Sequence, residues 1–256
     1  AFFNFNNIRV AGVACAVPTN EVKTESYKPL FGDEEVDKFM EMTGVRASHR
    51  TSEHQTCSDL GYRAASELLE KKGINREEIG ALIFSSHSPD YRRPSTAFVL
   101  QYRLGIPKEA VCYDISLGCS SLVVGMQTIG SIMNSSDMKY ALLFVGDTAG
   151  KSVCPTDRSS AMLFGEAGAV MLLEKTDNPD DQVKALVRSD GSGFRYMIVP
   201  GGVYRNLHAS EERVMCEDGN ERSLMNSFIQ GTSVFTFTIF DVPRLIKDFF
   251  AKTETT

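Results

Sequence analysis

Cys119 follows a strand-like run, VCYDISL, turns through Gly118 and opens a long apolar stretch, SSLVVGMQTIGSIM. A thiol at the mouth of a helix meets unpaired N–H groups and the positive end of the helix dipole. Both favour the thiolate, which is the nucleophilic form of cysteine. The same N–H groups suit an oxyanion on an acyl group carried by the sulfur. The arrangement is that of a nucleophile elbow with Cys in place of Ser. Free cysteine is also among the most buried residue types, so position alone leaves nucleophile and packing residue both open.

Other residues offer less. Cys15 and Cys112 lie inside apolar runs and are expected to pack, whereas Cys57, Cys154 and Cys216 stand among polar neighbours and read as incidental surface thiols. His87 follows the run ALIFSS, on the side where sites of α/β sheets gather, and is the candidate base for a cysteine hydrolase. His49 and His54 flank a basic turn and His208 lies in a polar excursion, so all three read as solvated. The histidines lack the spacing of a zinc pair, and no metal is expected.

The elements that must hold these residues follow from periodicity. Ile8–Pro18 reads as a buried strand, residues 33–41 as a short helix ended near Gly44, and Ser58-Asp59 as the cap of a helix reaching Gly73. Residues 81–86 form a strand with no exposed face, and Pro94-Ser95 opens a helix with apolar residues at Ala97, Val99, Leu100 and Leu104. Residues 111–117 are a strand, and 119–133 a helix apolar nearly all round and hence buried. Strands at 140–145 and 169–173 complete an alternating pattern, which predicts a layered α/β region with a largely parallel sheet and helices on both faces.

Composition shifts after Glu174. A polar linker, KTDNPDDQ, leads to a strand at 183–188, a glycine-rich stretch, a charged excursion at 211–222 read as solvated, and helical spacing over 232–250. One strand and one helix cannot form a second core as large as the first.

The chain has 256 residues, 42% hydrophobic and 23% charged, which bounds it to one large domain or two smaller ones of ordinary globular type. The net charge of -6 argues against nucleic acid as a partner. No run approaches the roughly 18 apolar residues of a membrane span. Six scattered cysteines without a CxxC read as reduced thiols of a cytoplasmic protein. The N-terminus carries no secretory pattern, and Ala1 in place of Met points to a processed or tagged chain.

The segment YDISLGCSSLVVGM (113–126) resembles the active-site segment of β-ketoacyl-acyl-carrier-protein synthase III, of the thiolase superfamily. TGVRASHR (43–50), SPDYRRPSTAFVLQYRLG (88–105), VGDTAGKSVCPTDRSSAMLFGEAGAVMLLE (145–174), DGSGFRYMIVPGG (190–202) and GTSVFTFTIFDVPRLIKDFF (231–250) resemble further family segments in the family's order. The resemblance implies a thiolase-like layered αβαβα fold, with a complete N-terminal half at 1–175 and an incomplete C-terminal half at 176–256. It implies that Cys119 takes an acyl group from an acyl-CoA or carrier thioester and condenses it with malonyl-acyl-carrier protein to a 3-oxoacyl product, in fatty acid biosynthesis. No cofactor is implied beyond these thioester substrates, and a homodimer is.

By the same resemblance, Arg158 in PTDR matches a position associated with the nucleotide part of CoA. Gly165 and Gly168 match glycines of a strand approaching the site, and Asp114 and Thr156 match structural positions. Departures stand beside these matches. Lys38 and Met42 occupy the places of a Trp and an Arg that hold adenine in the family, and the chain has no Trp. Arg93 replaces a Phe that reaches a neighbouring subunit's acyl pocket, where it could shape the pocket or face solvent. The family's PHQAN-like His and GNTSAA-like Asn segments occur nowhere in the sequence, which implies a C-terminally truncated chain, impaired in condensation, with an exposed apolar face. A hydroxymethylglutaryl-CoA synthase-like enzyme and a non-catalytic carrier-protein or subunit interaction module are the alternatives.

Overall fold

The computed structural model describes residues 1–254. The chain begins with β1 (Phe2–Asn6), β2 (Ile8–Ala16), β3 (Asn20–Lys23), α1 (Lys28–Phe31), α2 (Asp33–Thr43) and β4 (Ala47–Arg50). It continues through α3 (Cys57–Lys72), β5 (Ile79–Ser85), α4 (Thr96–Leu104), β6 (Val111–Ile115), α5 (Ser121–Asn134), β7 (Tyr140–Asp147) and β8 (Ala167–Lys175). The rest comprises β9 (Gln182–Leu186), the short strands β10 (Met197–Ile198), β11 (Val214–Met215), β12 (Glu221–Arg222) and β13 (Phe228–Ile229), and α6 (Gly231–Thr253). Two compact units interleave in sequence: residues 1–19, 51–148 and 166–188 form one, and 20–50, 149–165 and 189–256 the other.

The first unit is built on a five-stranded sheet in the order β2-β8-β7-β5-β6. In β5, side chains alternate between faces, so Leu82 and Phe84 enter one core while Ala81 and Ile83 enter the other. Leu68 and Leu69 of α3 and Leu100 and Leu104 of α4 fill the first core, and Ile129 and Met133 of α5 with Phe5 of β1 fill the second. Burial on both faces is why the run ALIFS carries no polar alternation.

Helix α3 starts on a capping box, in which Thr56 caps the helix and the Thr56 amide donates to the Asp59 carboxylate at 3.0 Å. The cap therefore falls at Thr56 rather than Ser58. Gly73 ends α3 at φ +64°, a left-handed conformation that glycine adopts without strain.

Four features differ from the sequence reading. The sheet is mixed: β6, β5 and β7 run parallel, but β8 is antiparallel to β7 and β2 to β8. Apolar runs mark strands without marking direction. Strand β2 is an edge strand with Val10 and Val13 exposed, not a buried one. Strand β1, whose alternation is too short to mark it in the sequence, pairs antiparallel with β9, so the 182–186 strand joins the N-terminus. Helix α5 buries Gly125, Ile129, Gly130 and Met133 but leaves Leu122 and Val123 exposed.

In the second unit, Val36 and Met40 of α2 pack with Met162 in a small core. The excursion at 211–222 carries the β11–β12 hairpin, and its Arg222 is buried rather than solvated. Burial opposes the charge of Arg222, but hydrogen bonds to Asp218 at 2.6 Å and Asp157 at 2.8 Å outweigh it and raise the pKa. Helix α6 is amphipathic in sequence yet buries none of its residues. No helix among the described residues is long and apolar enough to cross a membrane.

Candidate active site

The parallel strands β6, β5 and β7 place their carboxyl ends side by side, since Ser85 of β5 pairs with Ile115 of β6 and Val145 of β7. The residues just beyond those ends gather for that reason: His87 after β5, Cys119 after β6 and Asp147 at the end of β7. Crevices at the carboxyl ends of such strands are where α/β folds bind ligands.

The turn carrying Cys119 is short and pinned. Leu117 N–H donates to the Ile115 carbonyl, and Ser121 N–H to the Gly118 carbonyl at 2.8 Å. The Ser121 hydroxyl donates back to the Leu117 carbonyl at 2.5 Å. Cys119 itself is exposed, two residues before the first residue of α5. The strand–turn–helix expected around Cys119 is present, and the residue is exposed instead of enclosed in a core.

Gly118 is a close approach. A side chain there would lie 2.9 Å from Nδ1 of His87 and 3.6 Å from Oδ2 of Asp147. Asp147 fixes the base of this cluster through Oδ1, which accepts the Ser86 hydroxyl at 2.8 Å, the Ser88 hydroxyl at 2.9 Å and the His87 amide at 2.9 Å. The sequence reading missed Asp147, although a carboxylate closing the run YALLFVGD at a strand's carboxyl end was the available signal. Among the described residues no hydrogen bond joins His87 to Cys119, so the two do not form a preassembled hydrolase pair.

The remaining candidates fall in different surroundings. Asp114 accepts the Thr96 and Ala97 amides at 2.7 and 2.8 Å, capping α4. Burial raises its pKa against the pull of those two amides. Gly168, on β8, presses on the start of α3, where a side chain would run into the Cys57 carbonyl and the Gly61 amide. Arg93 is exposed.

In the second unit, Gly165 lies near Ser48 and His49, and Thr156 meets Cys154 Sγ at 3.2 Å. Arg158 is half-exposed and pairs with Glu35 of α2 at 3.0 Å. That helix also carries Lys38 and the exposed Met42.

Three of the other thiols depart from the sequence reading, while Cys112 packs against the first core as expected. Cys57 and Cys154 are buried and Cys15 is exposed, while Cys112 and Cys216 are intermediate. Cys57 sits at the capped start of α3, where its polar neighbours are hydrogen-bonding inward instead of facing water. Burial pushes its thiol up to about 11, against opposing hydrogen bonds from Ser86 and Ser88.

A layered α/β unit whose parallel strands end on an exposed thiol at a helix mouth is a thiolase-like fold. Residues 113–191 match the family described as 3-oxoacyl-[acyl-carrier-protein] synthase III. The crystal structure of 3-oxoacyl-(acyl-carrier protein) synthase from Burkholderia xenovorans LB400 is 32% identical, with a TM-score of 0.91 over 98% of this chain and 70% of that one. The β-ketoacyl-[acyl-carrier-protein] synthase III of Clostridium beijerinckii is 34% identical over 73% of this chain and 56% of its own length. That of Solibacter usitatus is 31% identical over 80% of this chain and 62% of its own. The chain belongs to the 3-oxoacyl-[acyl-carrier-protein] synthase III family of acyltransferases. It spans between 50% and 70% of the length of the curated relatives it matches.

Proposed function

We propose that Cys119 is the nucleophile of a 3-oxoacyl-[acyl-carrier-protein] synthase III reaction. The thiolate attacks the carbonyl of an acyl-CoA or acyl-carrier thioester, the carrier thiol leaves, and a Cys119 thioester results. In the family's reaction malonyl-acyl-carrier protein then loses carbon dioxide, and the resulting carbanion attacks that thioester to give the 3-oxoacyl product. The PHQAN-like His and GNTSAA-like Asn segments that serve this step do not occur in this sequence, so acylation of Cys119 is the step assigned to this chain. The observation that carries this reading is the exposed thiol in the pinned Leu117–Ser121 turn, ahead of α5. Amides at the start of α5 that lack intrahelical partners are the proposed donors to the oxyanion of each attack, an effect whose loss costs about 10²–10³ in rate per donor in a comparable site.

Arg158 and the exposed face of α2 are the proposed contacts for the CoA nucleotide. With Lys38 and Met42 in place of the family's aromatic and arginine, adenine is held less tightly and a carrier-protein donor is favoured. Arg93, Gly165 and Gly168 are proposed to shape the acyl and thioester sites. A cytoplasmic location and a homodimer complete the proposal.

The test is release of free thiol from acetyl-CoA and from acetyl-carrier protein by the whole chain, in the absence of malonyl substrate. A first burst of one equivalent per chain is expected, faster with the carrier protein, and none with Cys119→Ala. Release that persists in Cys119→Ala overturns the assignment.

A further inference from the structure

We propose that the same turn carries a second reaction: hydrolysis of the Cys119 thioester by water held between Nδ1 of His87 and Oδ2 of Asp147. The inference rests on the acylation of Cys119 proposed above.

Both atoms face the Cα of Gly118, the residue immediately before the nucleophile, as the 2.9 and 3.6 Å approaches to its absent side chain show. Consecutive Cα atoms are only about 3.8 Å apart, so the pair lies beside the backbone of the residue that carries the nucleophile. A side chain at 118 would have to displace the imidazole from this place.

The two oxygens of Asp147 are used differently. Its Oδ1 is saturated by the Ser86 and Ser88 hydroxyls and the His87 amide. Its Oδ2 accepts no hydrogen bond among the described residues, and neither does the His87 ring take part in one. The backbone of His87 is thereby anchored while its imidazole stays available. A structural role for the cluster accounts for Oδ1 and for the backbone of His87, but not for a carboxylate oxygen and an imidazole that both approach Gly118 without a protein partner among the described residues.

The chemistry balances with water alone. Water hydrogen-bonded to Oδ2 gives a proton to Nδ1 as its oxygen attacks the acyl carbonyl carbon. The carbon–sulfur bond then breaks, and the Cys119 thiolate recovers that proton from the imidazolium. The products are a carboxylic acid and the free thiol. The donors proposed for the oxyanion of acylation serve this attack as well, so the acyl group can leave the sulfur to water.

The experiment follows acyl-enzyme decay. The whole chain, His87→Ala and His87→Gln are acylated with butyryl-CoA and freed of excess thioester. Intact mass is then recorded with time in water enriched in ¹⁸O. His87 is exposed, so both variants are expected to fold. Positioned general bases contribute about a hundredfold or more, so the parent chain should lose its acyl group about a hundredfold faster than either variant, with one ¹⁸O in the acid. Equal decay in all three overturns the hydrolytic role and leaves acylation standing. A variant that slows formation of the adduct without slowing its decay also overturns it, by placing His87 in thiol activation. Failure of any chain to form an adduct on Cys119 overturns the acylation reading and this inference with it.

Discussion

At the scale of single residues, the contrast between Cys119 and Cys57 shows what decides a thiol's chemistry. Both stand at the start of a helix, yet Cys119 is exposed and Cys57 is enclosed by α3, Ser86 and Ser88. Because the folded thiol of Cys57 titrates only at about 11, the folded chain holds its proton where the unfolded chain has lost it. Stability is therefore expected to be unaffected by this group near neutral pH and to fall between about pH 9 and 11. The loss approaches roughly 2–3 kcal/mol, since each tenfold change in proton affinity is worth about 1.4 kcal/mol. Urea unfolding of the parent chain and Cys57→Ala across that range checks it: the parent loses more than the variant, and parallel curves contradict the assignment. The sequence made Cys119 legible because a strand, a glycine and an apolar helix bracket it. It hid Cys57, because the polar residues around a helix start are capping groups and look the same as surface residues. Asp147 was hidden for a related reason, since a lone carboxylate after an apolar run shows its partners only once β5 and β7 are paired.

At the scale of elements, glycines set how closely the layers approach. Gly168 on β8 meets the backbone of α3 at Cys57 and Gly61, where neither neighbour can rotate away. Gly168→Ala is expected to cost at least the roughly 1–3 kcal/mol typical of overpacking, read as a lower denaturation midpoint at unchanged slope. An unchanged midpoint would mean that α3 and β8 separate freely. Element type was legible wherever periodicity was strong, as in α3, β5 and β7. Direction was not, since alternation marks β8 and β2 as strands without stating which neighbour they oppose. Strand β1 escaped notice because FFNFN alternates over only five residues and finds its partner some 180 residues away.

For the molecule as a whole, the first unit leaves apolar side chains in water. Phe98 and Tyr102 of α4, Val111 of the edge strand β6, and Leu122 and Val123 of α5 are all exposed. An open sheet edge with apolar residues beside it is a template for pairing. Self-association is therefore expected, and equilibrium sedimentation at micromolar concentration should return a mass above that of one chain; a stable monomer contradicts it. The fold class was legible from six family-like segments in order, but exposure was not, because a sequence carries no record of which apolar faces stay uncovered. The role of Cys119 is tested most directly by where an acyl group lands. After incubation with acetyl-carrier protein and proteolysis, peptide mass mapping should find one acetyl group on the peptide containing Cys119 and none on those containing the other five cysteines. An acetyl group elsewhere with Cys119 unmodified would contradict it.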